Sequence, residues 1–227
     1  NGEDIIDIIL QQDACSKFIA RHLYNFFVED EPQVPAWNIE APKNPEAVDQ
    51  LAKVLVDSNY EVKPVLRVLL NSSFFKESAY KRVKSPVEVV VGTLRLVEDV
   101  LGPDPRLEST AKEPGYMGQD ILDPPSVEGW HTGREWINSG ALVQRVNFVS
   151  DRLSDTSLPG VKKIISKIAD CDGIMSPEEL VEKCLEYMGP LPVKGKTREE
   201  LVSHANEQGD ITWDEKSYEE SAVRASE

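Results

Sequence analysis

Apolar residues recur along this chain at helical rather than strand spacing. Residues 3–11 (EDIIDIILQ) set acidic residues ahead of an Ile/Leu face, as expected of a short first helix. Asp13 is placed to cap the next, DACSKFIARHLYNFFVED, where Phe18, Ile19, Leu23, Phe26 and Phe27 form a broad apolar stripe. Pro32, Pro35 and Pro42 then predict an extended loop pinned to the body by Trp37. Asn44-Pro45 supplies cap and first-turn proline for a third helix that buries Val48, Leu51, Ala52, Leu55 and Val56. A fourth helix spans 62–70, with Pro64 tolerable in its first turn.

Ser85-Pro86-Val87-Glu88 reads as a capping box. The run that follows, VEVVVGTLRLVEDVLG, suits a strand by its valines and a helix by the spacing of Leu94, Val97 and Leu101. The cap decides for a helix, stopped at Gly102-Pro103. Residues 104–125 are rich in Pro and Gly, with one short helix expected over 117–122. A central helix is predicted over 134–153, with Trp136, Ile137, Val143, Val146, Phe148 and Val149 available for burial. A basic amphipathic helix follows over 161–169. Ser176-Pro177-Glu178-Glu179 opens a helix to Met188, and Thr197-Arg198-Glu199-Glu200 opens one through His204. The fold class expected is all-α: a multi-helix, bundle-like domain with long Pro/Gly-rich loops.

Composition narrows the class. Forty per cent hydrophobic residues suffice for a core, which argues against global disorder. A formal charge of −15 argues against nucleic acid, because phosphate binding needs clustered Lys and Arg. Lys81-Arg82-Val83-Lys84 is the longest basic run and reads as an exposed approach to a helix. No apolar stretch reaches the roughly 18 residues of a membrane-spanning helix, so no transmembrane segment is expected. Cys15, Cys171 and Cys184 have neither zinc-site nor disulfide-framework spacing. Cys15 and Cys184 read as small core residues, and a bridge from Cys171 is the alternative if the protein is exported. Asn1 leads straight into a helical pattern with no signal peptide to read, and a fragment is the expectation. Residues 170–227 hold 15 acidic and 6 basic side chains, so 206–227 reads as an acidic tail with one loosely held helix around 213–224.

Five segments resemble, in order, a bacterial family of unknown function, DUF1800. They are DACSKFIARHLYNFFVED, VKPVLRVLLNSSFF, KSPVEVVVGTLR, PPSVEGWHTGREWINSGALVQRVNF and MSPEELVEKCL, and together they cover most of residues 2–205. The fourth, with its double proline and GW…G…WIN, is the specific one. The resemblance implies a helical fold, an exported protein and a longer chain, of which 1–205 would be a helical domain in the C-terminal half. It implies no chemistry. Where the family usually has proline after Gly129-Trp130, this chain has His131, a poor candidate for a shared catalytic group.

That segment also holds the candidate site. A helix starting near Thr132 would place Arg134, Glu135, Trp136 and Asn138 in its first turns. Free backbone N–H groups there, beside Arg134, could hold a carboxylate or sulfate, with Trp130 and Trp136 as an apolar or sugar-stacking wall. The simpler account is structural, with tryptophans locking the loop and polar groups satisfying its carbonyls. Residues 168–179 resemble part of a calcium loop, with Asp170, Asp172, Ser176 and Glu179 as ligands, but Ile168 stands where the first carboxylate belongs. The capping box explains Ser176 and Glu179 as well. His22, His131 and His204 are scattered, and Glu128, His131 and Glu135 are the only acid/base group to weigh. No cofactor motif is present and none is expected. The leading expectation is a binding or scaffolding domain for an unidentified protein or small molecule. The alternatives are part of a hydrolase whose other groups lie in an N-terminal half, and a calcium-stabilised module.

Overall fold

Where apolar spacing and a capping residue agree, the helices form as written. A computed structural model describes every residue except 101, 170–172, 190, 208, 215–216 and 227, and its architecture is mainly helical. Asn44 caps α3 (Pro45–Asp57) by accepting the Ala47 N–H at 3.0 Å. Ser176 and Glu179 close a reciprocal capping box on α11 (Pro177–Met188). The helices before α3 are α1 (Gly2–Leu10) and α2 (Asp13–Phe27), and α4 (Val62–Asn71) and α5 (Ser73–Lys76) follow it.

Two compact units divide the chain, each discontinuous in sequence. The first comprises 1–87 and 114–142. Its core is one stripe of α2 (Ala20, Tyr24, with Val28 beyond) against Val48, Leu51 and Leu55 of α3 and Val65 and Leu69 of α4. Of the stripe predicted for α2, Ile19, Leu23 and Phe27 pack against this core, whereas Phe18 is 48% and Phe26 60% exposed and the small Ser16 and Ala20 are buried instead. Val56 likewise faces solvent while Ala47 takes its place inside. Asp13 does not cap α2; Gln12 stands at the cap without a side-chain bond.

Three successive acids then fasten the loop after α2. Glu29 meets the Lys43 ammonium at 3.2 Å. Asp30 accepts the Val83 N–H at 2.7 Å. Glu31, fully buried, accepts from Arg21 at 2.6 and 2.9 Å and from the Lys43 N–H at 2.9 Å. The Arg21 guanidinium also lies 4.6 Å above the Trp37 ring, and the Trp37 N–H donates to the Pro32 carbonyl at 2.7 Å. Trp37 thus pins the proline loop, part of which (34–38) is a 3-10 turn.

The second unit comprises 88–113 and 143–227. Helix α6 (Pro86–Val97) ends well before Gly102, because Glu98 adopts a left-handed conformation (φ +54°) and holds the Lys163 ammonium at 2.6 Å. The short helix expected over 117–122 is absent; α7 (Leu107–Thr110) and α8 (Glu113–Tyr116) precede that stretch instead. The helix expected over 134–153 is two elements. A 3-10 turn (Gly133–Trp136), which belongs to the first unit, leads through Ile137 to Asn138, whose side chain accepts the Ala141 N–H and starts α9 (Ser139–Leu153). Then come α10 (Pro159–Ile168), β1 (Gly173–Met175), α11, α12 (Gly195–Asn206), β2 (Ile211–Trp213) and α13 (Tyr218–Ser226).

The two short strands pair antiparallel, Ile174 opposite Thr212. Residues 206–227, expected as an acidic tail with one loosely held helix around 213–224, do supply a helix there, α13, together with strand β2. Both are built into a core: Ile211, Trp213 and Ala222 are buried beside Val161, Ile165 and Met175. Gly160 lets α10 touch the end of α6: a Cβ there would lie 2.2 Å from the Leu96 carbonyl oxygen. Cys15 and Cys184 are free thiols, and Cys171 lies outside the described residues. No described helix is long and apolar enough to cross a membrane.

Candidate functional site

Two glycines shape the turn that carries the tryptophans. Gly129 (φ +94°) closes a tight turn on Ser126, its N–H donating to the Ser126 carbonyl at 3.1 Å. That brings Trp130 back towards the preceding loop, where its indole N–H donates to the Asp120 carbonyl at 3.0 Å. Gly133 (φ +60°) then crosses directly over Asp30, and a Cβ at this position would stand 3.0 Å from that of Asp30. Glycine is favoured here on both counts. Trp136, only 4% exposed, closes the turn from below.

Between this turn and the end of α2 lies an open cleft of about 480 Å³. Trp130, His131 and Trp136 line it from the turn, His22 and Phe26 from α2, and Asp30 from the loop. Burial pushes the Asp30 carboxyl up against the opposing pull of the Val83 N–H and nearby Arg82. Burial pushes the His22 imidazole down, which favours its neutral form. The Arg82 guanidinium sits 5.3 Å above the Phe26 ring. On the rim, His131 Nδ1 lies 2.5 Å from Glu135 Oε2, and the same oxygen accepts from Gln33 at 3.2 Å. Gln33 also donates to the Thr132 hydroxyl at 3.3 Å, fixing the carboxylate that faces His131.

The structure brings together only part of the set predicted from sequence. Trp130 and Trp136 share the cleft. Arg134 and Asn138 do not line it; both are exposed. The Arg134 guanidinium has no hydrogen bond or ion pair among the described residues, and Asn138 is occupied as the cap of α9. Asp30, His22 and Arg82 were missed. Their approach to the turn depends on contacts about 50 to 100 residues apart in sequence, and Arg82 read as part of a solvated basic run. Of the calcium candidates, Asp170 and Asp172 lie outside the described residues, whereas Ser176 and Glu179 bond each other in the box on α11. Among the described residues no group of three or more His, Cys, Asp or Glu is placed to hold a metal ion.

Residues 1–223 match the model of a protein family described as Protein of unknown function (DUF1800). No curated protein and no solved structure matches the chain.

Proposed function

Since the chain belongs to the DUF1800 family, whose description assigns no activity, we propose its role from the site itself: a binding domain that takes a small ligand in the Trp130–Trp136 cleft. The observation that carries this is the cleft, whose volume falls in the roughly 300–1,000 Å³ range of ligand sites, with aromatic walls and polar side chains from His22, Asp30, Gln119 and His131 beside them. A ligand with a flat apolar face and a polar edge suits it, the face on Trp130 and the edge towards Asp30 and His131. An exported bacterial setting, implied by the sequence resemblance, belongs to the same proposal.

Titrating small sugars and carboxylates while following the indole N–H resonances by NMR tests this. A ligand that shifts Trp130 and binds Trp130→Ala at least about tenfold more weakly is expected, a loss of about 1.4 kcal/mol. Ligands that leave the Trp130 resonance unmoved would sink the proposal.

The His131–Glu135 pair favours a second reading, a hydrolase. Glu135 holds Nδ1 of the imidazole, and Nε2 is left unbonded among the described residues, the arrangement of a general base held by a carboxylate. Hydrolysis of chromogenic esters or glycosides that disappears in both His131→Ala and Glu135→Gln would support it, and activity surviving in either variant would exclude it.

A further inference from the structure

A second, larger cleft of about 880 Å³ lies on the same unit. It is walled by Phe18, His22, Trp37 and Pro35, with Asp49 and Glu128 among its polar groups. Phe18 and His22 meet edge-on at 4.5 Å, and His22 and Trp37 lie 4.6 Å apart, so the aromatic surface is continuous. His22 lines this cleft and also the one beside Trp130. The turn does so too, through Glu128 on one side and Trp130 on the other. The two depressions therefore adjoin at His22.

The chemistry of the walls selects the occupant. Both half-buried tryptophans have spent their only donor inward, Trp37 on Pro32 and Trp130 on Asp120. Neither indole N–H is left for a ligand's carbonyls, and the Arg21 guanidinium already covers part of the Trp37 ring. The two cations of the larger cleft are paired: Lys17 meets Asp49 at 2.8 Å, and Arg21 is held by Glu31. With a formal charge of −15 on the chain, a polyanion is repelled rather than drawn in. A chain of sugar rings meets these terms, with C–H faces for the aromatic rings and hydroxyls for Asp49, Glu128, Asp30 and Gln119.

From this juxtaposition we propose that the two clefts act as one groove that binds a neutral, linear oligosaccharide, with His22 at the boundary between sugar subsites on the Phe18–Trp37 and Trp130 sides. The proposal rests on the Trp130 cleft being a binding site and names its ligand class.

Calorimetry with the full chain tests it, using the disaccharide and hexasaccharide of cellulose, starch and chitin as probes. One series is expected to bind, its hexasaccharide at least about tenfold more tightly than its disaccharide. Phe18→Ala removes an exposed ring, so the fold should tolerate it. It is expected to abolish the gain with length while leaving the disaccharide's affinity unchanged, and Trp130→Ala is expected to weaken both. Equal affinity for short and long probes, lost in Trp130→Ala, would overturn the two-station groove and leave the Trp130 site standing. Saccharides that bind regardless of Trp130→Ala would remove the site reading itself. Binding of a proline-rich peptide with no response to any saccharide would overturn the ligand class.

Discussion

At Gly133 the missing side chain eases the close crossing of the turn over Asp30. Gly133→Ala places a methyl group 3.0 Å from the Asp30 Cβ in a backbone conformation that disfavours it. A loss of about 1–3 kcal/mol is expected in urea denaturation, with the cleft perturbed in the folded fraction. Asp30 has the opposite character. Its folded-state carboxyl holds its proton to a higher pH than the unfolded chain, so its contribution to stability is greatest in acid. That contribution is lost as pH rises from the usual carboxylate range through the raised value. Asp30→Asn keeps an acceptor for the Val83 N–H without the charge. We expect it to be at least as stable as the parent at pH 7 and to flatten stability against pH over that window, both read by chemical denaturation. Trp130 and Trp136 were legible in the sequence because large aromatics among glycines are conspicuous. Asp30 was not, because nothing local separates it from the acids on either side.

Helix boundaries were legible wherever the cap was a side chain acting on its own first turn. Asn44 and Ser176 announced α3 and α11 for that reason. Asn138 carries the same signal, Asn-Ser-Gly ahead of an apolar run, but the aromatic spacing across Trp136 and Ile137 overrode it, and a broken helix read as a continuous one. Asn138→Ala should cost about 1 kcal/mol and fray the start of α9, measurable by hydrogen exchange at Ala141. The end of α6 was hidden because a left-handed Glu98 leaves no mark in sequence, unlike the glycine expected to stop the helix. For α11 the box employs Ser176 and Glu179 fully. A chelator should therefore leave the melting temperature unchanged, and a fall on adding one would restore the calcium reading.

On the scale of the whole molecule, periodicity predicted a mainly helical protein because the apolar stripes sum over many turns. It did not predict which chain segments would share a unit. Residues 206–227 looked like a tail because acidic side chains dominate the count, yet a few apolar positions, Ile211, Trp213 and Ala222, suffice to build them into a core. Net charge acts at this scale alone. With −15 spread over 227 residues, self-repulsion opposes the folded state, and screening it should raise stability. The urea midpoint is expected to increase between 10 mM and 500 mM sodium chloride, the reverse of what a fold held by exposed ion pairs would show.

The acids at 29, 30 and 31 carry equal charge and follow one another, but each is held differently: Glu29 by the Lys43 ammonium, Asp30 by the Val83 N–H, and Glu31 by the Arg21 guanidinium together with the Lys43 N–H. In a saturation mutagenesis screen the three neighbours should give unlike profiles. Position 29, partly in water, should accept many residues. Position 30 should accept amide for acid. Position 31, sealed around Arg21, should accept almost nothing, with Glu31→Ala losing about 3–5 kcal/mol. A substitution matrix that scores these positions alike would misjudge two of them, so alignments through this tripeptide carry information in their register that their charge conceals.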